Sequence, residues 1–402
     1  MNIPVISFTK AFSRLRSHYL RDRALFIIYL SEAIKTSGIS MISVFETIYL
    51  YLYFQERGFS HPISVLFLFF AVFFLFFALL SPLGAYLSAR FGFHKISLIS
   101  SFFLFFYFLF LFLLPKHPWL LIPVLASIIL RSALFWPGFH LLFATSSTKE
   151  KRGNAFGNLT ITTAIASVGG PVLGGFIVTH FGYQTLFMFA LPLIVISATP
   201  LFLLKNAKTF AHEKMSKTLK RLKKKSELQA GIAFATSGAE DEANLRLWPL
   251  FLFFIAISYS TMGIIVSLAT AFSLIATWYL GKLTDKKNRL KLLGFGSLIT
   301  SGTWILRAGV ASPFFAGITN IFYGIARTGY GLPLTTIFYN RSAIAPNPLG
   351  AIVFREITIN FGKVAFLLFL SLITIWIDDF RILILLTAIL PLFSVFIRNW
   401  RP

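Results

Sequence analysis

The sequence predicts an all-α membrane protein of twelve transmembrane helices in two six-helix halves, on three observations. Apolar residues make up 56% of the 402 and charged residues 13%, with a mean hydropathy of +0.77, a balance that a solvated soluble domain does not show. Twelve apolar stretches of about 20 residues, long enough to cross a bilayer at ~1.5 Å per residue, can be placed along the chain. Arg131 with Pro137 and Arg327 with Pro333 repeat one spacing at an offset of 196 residues, and that offset also carries Glu46 onto Glu242 and AYLSARFGFHK (85–95) onto GKLTDKKNRLK (281–291). Two related halves that each place an acid and an arginine inside the bilayer imply a transporter built around a central polar site.

Span 1 is predicted at 26–53, behind Lys10, Arg14, Arg16, Arg21 and Arg23; it is too long for the core of a cleavable signal, and no small-residue cleavage site follows. Spans 2 to 6 fall at 62–80, 96–114, 118–145, 155–179 and 183–204. A basic linker, 205–228, contains KTLKRLKKKS, too polar to span and too basic to pack in a core. It separates an N-terminal bundle, 1–204, from a C-terminal bundle, 229–402. Span 7, at 229–256, is the least apolar, since QAGIAFATSGAEDEANLRLW carries four charged residues. Without it, only 36 residues separate Trp248 from Asp285, too few for two spans and a return loop. Spans 8 to 12 follow at 260–280, 290–309, 312–339, 350–376 and 379–398.

Positive charge orients the chain, because Lys and Arg collect in cytoplasmic loops. With the N-terminus inside, the cytoplasmic segments hold Lys10 to Arg23, Arg90 and Lys95, Lys149 to Arg152, the nine basic residues from Lys205 to Lys225, Lys282 to Lys291, Arg341, Arg398 and Arg401. The outer side holds Arg57, Lys116, Arg307 and Arg381, so both termini are expected in the cytoplasm. The net charge of +23 is therefore a membrane-topology signal and not a nucleic-acid one, and the linker and residues 1–20 are placed to meet anionic lipid headgroups. Cysteine is absent, which excludes disulfides and thiolate chemistry. The seven histidines lack metal-ligand spacing and no phosphate-cradling glycine loop occurs, so neither metal, cofactor nor nucleotide is expected. The 49 phenylalanines read as lipid-facing and core packing.

A charge at the bilayer centre costs ~2.5–3.5 kcal/mol on insertion scales, so each exception calls for a partner or a function. The exceptions gather on spans 1, 4, 7 and 10: Glu46, with Glu32 and Lys35 below it; Arg131; Glu240, Asp241, Glu242 and Arg246; and Arg327. Span 11 adds Arg355, Glu356 and Lys363. Spans 1, 4, 7 and 10 each open a successive group of three, and equivalent helices sharing an ionisable load should line one cavity. The two arginines could clamp an anionic group, or could pair across the cavity, Arg131 with Glu46 and Arg327 with Glu242. Successive helical residues turn by ~100°, so Glu240, Asp241 and Glu242 cannot share one partner. Glu46 and Glu242, related by the repeat, are the preferred proton-coupling acids, and His140 is either a proton relay or a hydrogen-bonded packing residue.

At these residues the chain resembles the major facilitator superfamily over nearly its full length. GKLTDKKNR looks like that family's loop motif: Gly281, Asp285, Lys286, Arg289 and Lys291 match, with Asn288 in place of the second Gly. The first-half copy keeps Arg90, Gly92, His94 and Lys95 but has Ala85 and Ala89 where Gly and Asp are expected. GGPVLGG (169–175), with Gly170, Pro171, Gly174 and Gly175, is similar to the family's antiporter motif, and Arg131 stands on the span where antiporters carry an arginine, followed by Leu134 and Phe135 instead of the usual glutamine and glycine. The resemblance implies two bundles about a pseudo-two-fold axis that rock around a midplane site, moving a small organic solute across the cytoplasmic membrane. Its energy source would be an ion gradient, the proton before sodium, with export favoured over uptake. Arg131, Arg327, Glu46, Glu242, Glu240 and Asp241 become the expected site or coupling residues, with Trp136, Trp248 and Tyr330 as cavity aromatics. A nutrient or organic-anion uptake symporter is the first alternative; an uncoupled lipid or solute facilitator, or a sensor that moves nothing, is the second. A membrane enzyme has only Asp378, Asp379 and Arg381 as candidates, which read as a turn. The expected partners are the solute, protons and membrane lipids, and the expected state is a monomer.

Overall fold

A computed structural model describes residues 23–145, 159, 161–203, 224–284, 289–345, 347–377 and 379–400; these are almost wholly helical, without a strand among them. Helices cover all twelve predicted spans, several with a break that the apolar pattern did not foretell. Span 1 is two helices, α1 (Arg23–Ser43) and α2 (Glu46–Glu56), bent by 42°. Span 2 is α3 (Pro62–Phe91), which runs about three turns past the predicted end at residue 80. The segment 85–91 expected in a loop is thus helical, with Arg90 donating to the Tyr86 hydroxyl at 2.8 Å, and the turn shrinks to Gly92. Its φ of 87° is open to glycine at little cost.

Span 3 is α4 (Phe93–Leu113) and span 4 is α5 (Leu121–Thr145). Spans 5 and 6 form one helical stretch, Ile161–Leu203, that includes α6 (Gly170–Ala198) and is broken at Gly182, where φ is 80° and ψ is 175°. Span 7, the least apolar, is α7 (Lys225–Glu242), a π-helical turn at Ala243–Leu247 and α8 (Trp248–Phe254). The expected linker ends in its first turn, and residues 204–223 lie outside the described residues. Spans 8 to 11 are α9 (Tyr259–Thr284), α10 (Arg289–Ala308), α11 (Pro313–Ala343) and α12 (Pro348–Ile373). Span 12 starts as α13 (Phe380–Thr387) and tightens into a 3-10 helix, Leu390–Asn399. Asp379 caps α13 by accepting from the Arg381 backbone N–H at 2.9 Å, the turn role read from the sequence.

Seven of these helical stretches are long and apolar enough to cross a membrane unaided, eight if the bent α1–α2 pair counts as one span. Spans 7, 9 and 10 rely instead on burying their polar groups against neighbours. In the C-terminal half α7 packs on α12, and α11 packs on α9 and α10; in the N-terminal half α5 packs on α3 and α4, and α1 on α6. The halves meet along two seams, α3 against α12 and α6 against α9. The second seam uses the antiporter-like motif. A Cβ on Gly175 would stand 2.4 Å from the Tyr259 carbonyl oxygen, and one on Gly263 would stand 2.2 Å from that of Pro171, so only glycine allows the backbones this close. Phenylalanines serve both expected surfaces: Phe45, Phe67 and Phe187 are sealed in the core, while Phe102, Phe181 and Phe295 face outward.

Candidate functional site

The three successive acids of span 7 do not all face one way, as helical rotation requires: Glu240 and Asp241 share Arg327, while Glu242 turns elsewhere. Glu240, fully buried, accepts from the Tyr323 hydroxyl at 2.6 Å and the Trp304 indole at 3.1 Å, and pairs with Arg327 Nε at 2.7 Å. Asp241 is the most exposed of the three, at 37%, and takes the other side of the same guanidinium. Glu242 turns toward span 11, 2.9 Å from Lys363 Nζ and 3.5 Å from Arg246 Nε one turn on. Arg246 reaches across to the N-terminal half: it pairs with Glu46 and donates to Thr47 Oγ1 at 3.1 Å, and Tyr107 donates to the same Glu46 carboxylate. The pairs Arg131–Glu46 and Arg327–Glu242 are therefore not formed. Glu46 stands at the break of span 1 and Arg246 in the π turn of span 7, and these irregular turns aim them at each other.

A cavity of about 460 Å³ lies beside this network. Ser43 and Val44 of span 1, Asn244 and Trp248 of span 7, Thr270 and Ser273 of span 8, and Asn320, Tyr323 and Arg327 of span 10 are on its wall. Three of the four charge-bearing spans thus contribute, but span 8 stands where span 4 was expected. A second cavity of about 80 Å³ shares Arg327 with the first and adds Asp241 and Arg355. Tyr330 is sealed under Arg327, its ring 4.6 Å from the guanidinium, so it supports the wall. Trp248 is nearly sealed as well and lies 4.4 Å beneath a guanidinium absent from the predicted site, that of Arg307.

Arg307 was placed among the outer charges by its position at the end of span 9. It is instead fully buried, donating to Asn244 Oδ1 at 3.0 Å and to Asn320, with Tyr323 3.6 Å and Trp304 4.7 Å from its centre. Its signal in the sequence was Trp304 one turn earlier and the polar pair Asn244 and Asn320 on spans 7 and 10. Aromatic faces and amide oxygens stabilise a guanidinium without a carboxylate.

The N-terminal half is sparser. Lys35 and Glu32 pair at 2.6 Å, and the Lys35 ammonium lies 4.4 Å from the Phe135 ring. Arg131 stacks over Phe135 at 5.0 Å and Trp136 at 5.7 Å and forms no ion pair among the described residues. Toward the cytoplasmic end, Trp136 stacks on His140 at 5.7 Å. Arg355 Nη1 lies 3.2 Å from His140 Nε2, and Tyr339 2.5 Å from Nδ1, with Glu356 3.4 Å away. His140 is thus a hydrogen-bonded bridge between span 4 and spans 10 and 11. Because a guanidinium only donates, Nε2 accepts and Nδ1 carries the proton.

Of the gating motifs, Pro171 and Gly175 lie on the α6–α9 seam, Gly170 and Gly174 pack against α1 within the N-terminal half, and Arg90 and Gly92 are at the α3–α4 turn. Gly281 is in the last turn of α9 and Arg289 opens α10, while Asp285 and Lys286 fall outside the described residues.

The family model described as Major Facilitator Superfamily matches residues 24–354. The chain is similar to the multi-drug resistance efflux pump PmrA of Streptococcus pneumoniae, 26% identical over 266 residues, covering 64% of this chain and 66% of that protein. It is also similar to the multidrug resistance protein MdtG of Klebsiella pneumoniae, 27% identical over 286 residues, covering 68% and 69%. The match thus spans about two thirds of these relatives' length. Among solved structures, a POT family transporter in complex with 5-aminolevulinic acid superposes with a TM-score of 0.71 at 11% identity, covering 94% of this chain and 95% of that one. An auto-inhibited POT family peptide transporter superposes at 0.72 with 13% identity, covering 95% and 98%. At such identities the superpositions speak for the fold alone.

Proposed function

We propose a function that proceeds from one fact, that this chain belongs to the Major Facilitator Superfamily: it is a secondary transporter that exports a small organic solute across the cytoplasmic membrane in exchange for protons. The observation that carries the coupling is the Glu46–Arg246 pair, which joins span 1 of one half to span 7 of the other beside the cavity. A proton on Glu46 removes the charge that holds Arg246. The guanidinium then turns wholly to Glu242 on its own half, and the halves separate at that point. Loss of the proton restores the pair. At the cytoplasmic end the contact of His140 with Tyr339 and Arg355 does the corresponding work of holding spans 4, 10 and 11 together. The cavity opens to one side as one contact breaks and the other forms.

Export is supported by the glycine-proline seam between spans 5 and 8, which resembles the antiporter motif, and by the efflux function named for PmrA and the multidrug resistance named for MdtG. Proteoliposomes loaded with a pH-reporting dye and challenged with a library of small solutes test the whole reading. Solutes that the protein carries should alkalinise or acidify the lumen in step with their own movement. Glu46→Gln should leave solute exchange at zero gradient intact and abolish accumulation driven by a pH gradient; gradient-driven accumulation in that variant at the wild-type level would refute proton coupling through Glu46.

A further inference from the structure

We infer that Arg131 is an anion-binding residue, and that the solute of the proposed transport carries one anionic group, a carboxylate or a phosphate-like group, that seats on it. The inference rests on the transport reading only for calling the bound anion the transported solute.

The other basic side chains described in the central spans are engaged. Lys35 has Glu32, Arg246 has Glu46 and Glu242, Arg327 has Glu240 and Asp241, Arg355 has Glu356, and Lys363 has Glu242. Arg307 is held by the amide oxygens of Asn244 and Asn320. Arg131 forms neither an ion pair nor a hydrogen bond to any described residue; it stacks over the rings of Phe135 and Trp136. The acids whose field reaches it are Glu32 and Glu46, and both are already taken, by Lys35 and by Arg246 with Tyr107. Lys35, Arg131 and Glu32 around Phe135 leave one positive charge over. Arg131 is only half-buried.

An uncompensated charge at this depth is costly unless a ligand meets it. A guanidinium offers two parallel donors in the plane of a carboxylate or phosphate, and aromatic rings stacked beneath it hold that plane. Arg327 cannot play the same part, since two carboxylates already occupy its donors. The solute therefore needs one anionic group.

The test uses the full chain in nanodiscs of phosphatidylcholine, titrated with benzoate, phenylacetate and phenylphosphonate and with the neutral amides of the two carboxylic acids. Binding is read by calorimetry and by quenching of Trp136. The acids should bind at least ~10-fold tighter than the amides, the scale of one charge-assisted contact. Arg131→Gln should bring the acids down to the amides, Arg131→Lys should keep much of the preference, and Trp136→Phe should remove the quenching while binding persists. Equal binding of acids and amides by the wild-type chain overturns the proposal without any variant, as does a preference that survives Arg131→Gln. Adding phosphatidylglycerol should leave the acid affinity unchanged; competition by it would give the site to a lipid headgroup and overturn the assignment to solute. Acid binding through Arg131 with no flux in proteoliposomes would remove the transport reading and leave the anion site. Flux of neutral solutes undisturbed by Arg131→Gln would do the reverse.

Discussion

Arg131 and Arg327 hold the same place in the two halves, six residues ahead of a proline on spans 4 and 10, yet their surroundings differ in kind. Arg327 lies between Glu240 and Asp241 with Tyr330 beneath it. Arg131 lies on two rings with no acid in contact. Duplication preserved the cation and its depth, while the acids that could neutralise it diverged: span 7 has three in succession where span 1 has Glu46 alone at that level. The C-terminal half has therefore made its arginine part of the scaffold, and the N-terminal half has kept one available. A shared position in a repeat is thus no guarantee of a shared role.

The largest expected effect falls on the neutralised member. Arg327→Ala leaves Glu240 fully buried beside Asp241 with its countercharge gone, which should destabilise the fold by about 3–5 kcal/mol in denaturant unfolding of the purified protein. Next, Gly263→Val presses a side chain into the Pro171 carbonyl on the α6–α9 seam, at a cost of about 1–3 kcal/mol, and should slow solute exchange even when proton coupling is absent from the assay. Arg131→Ala breaks no pair, so unfolding should shift by less than ~1 kcal/mol while flux is lost. Equal destabilisation by Arg131→Ala and Arg327→Ala would erase the distinction between the halves. The smallest effect belongs to Arg57→Ala, whose exposed guanidinium donates to the Pro115 carbonyl at 2.7 Å; unfolding and flux should both stay within ~0.5 kcal/mol of wild type.

Much of the fold was legible because it follows from one-dimensional quantities. Span length, the basic loops and the offset of 196 residues gave the helices, and the family match agrees with them. Breaks in the helices were less legible: span 1 divides at residues 44–45 and span 7 takes a π turn without any proline inside the break. The site was legible as a set of residues but not as a set of contacts. Glu46, Glu240, Asp241, Glu242 and Arg327 were all singled out, yet Glu46 found Arg246 and Arg327 found Glu240 and Asp241. Arg307 escaped because a helix end reads as an interface until the neighbouring helices are placed around it.

The sequence by itself determined that the chain is a helical membrane protein of many apolar spans and that most of its central charges fall within them, because unpaired backbone groups and unsolvated charges are both costly in a bilayer. Only the tertiary structure decided which charges neutralise each other. An ion pair depends on the rotation of each helix about its axis and on breaks of a single turn, and those are set by the packing of all the helices together.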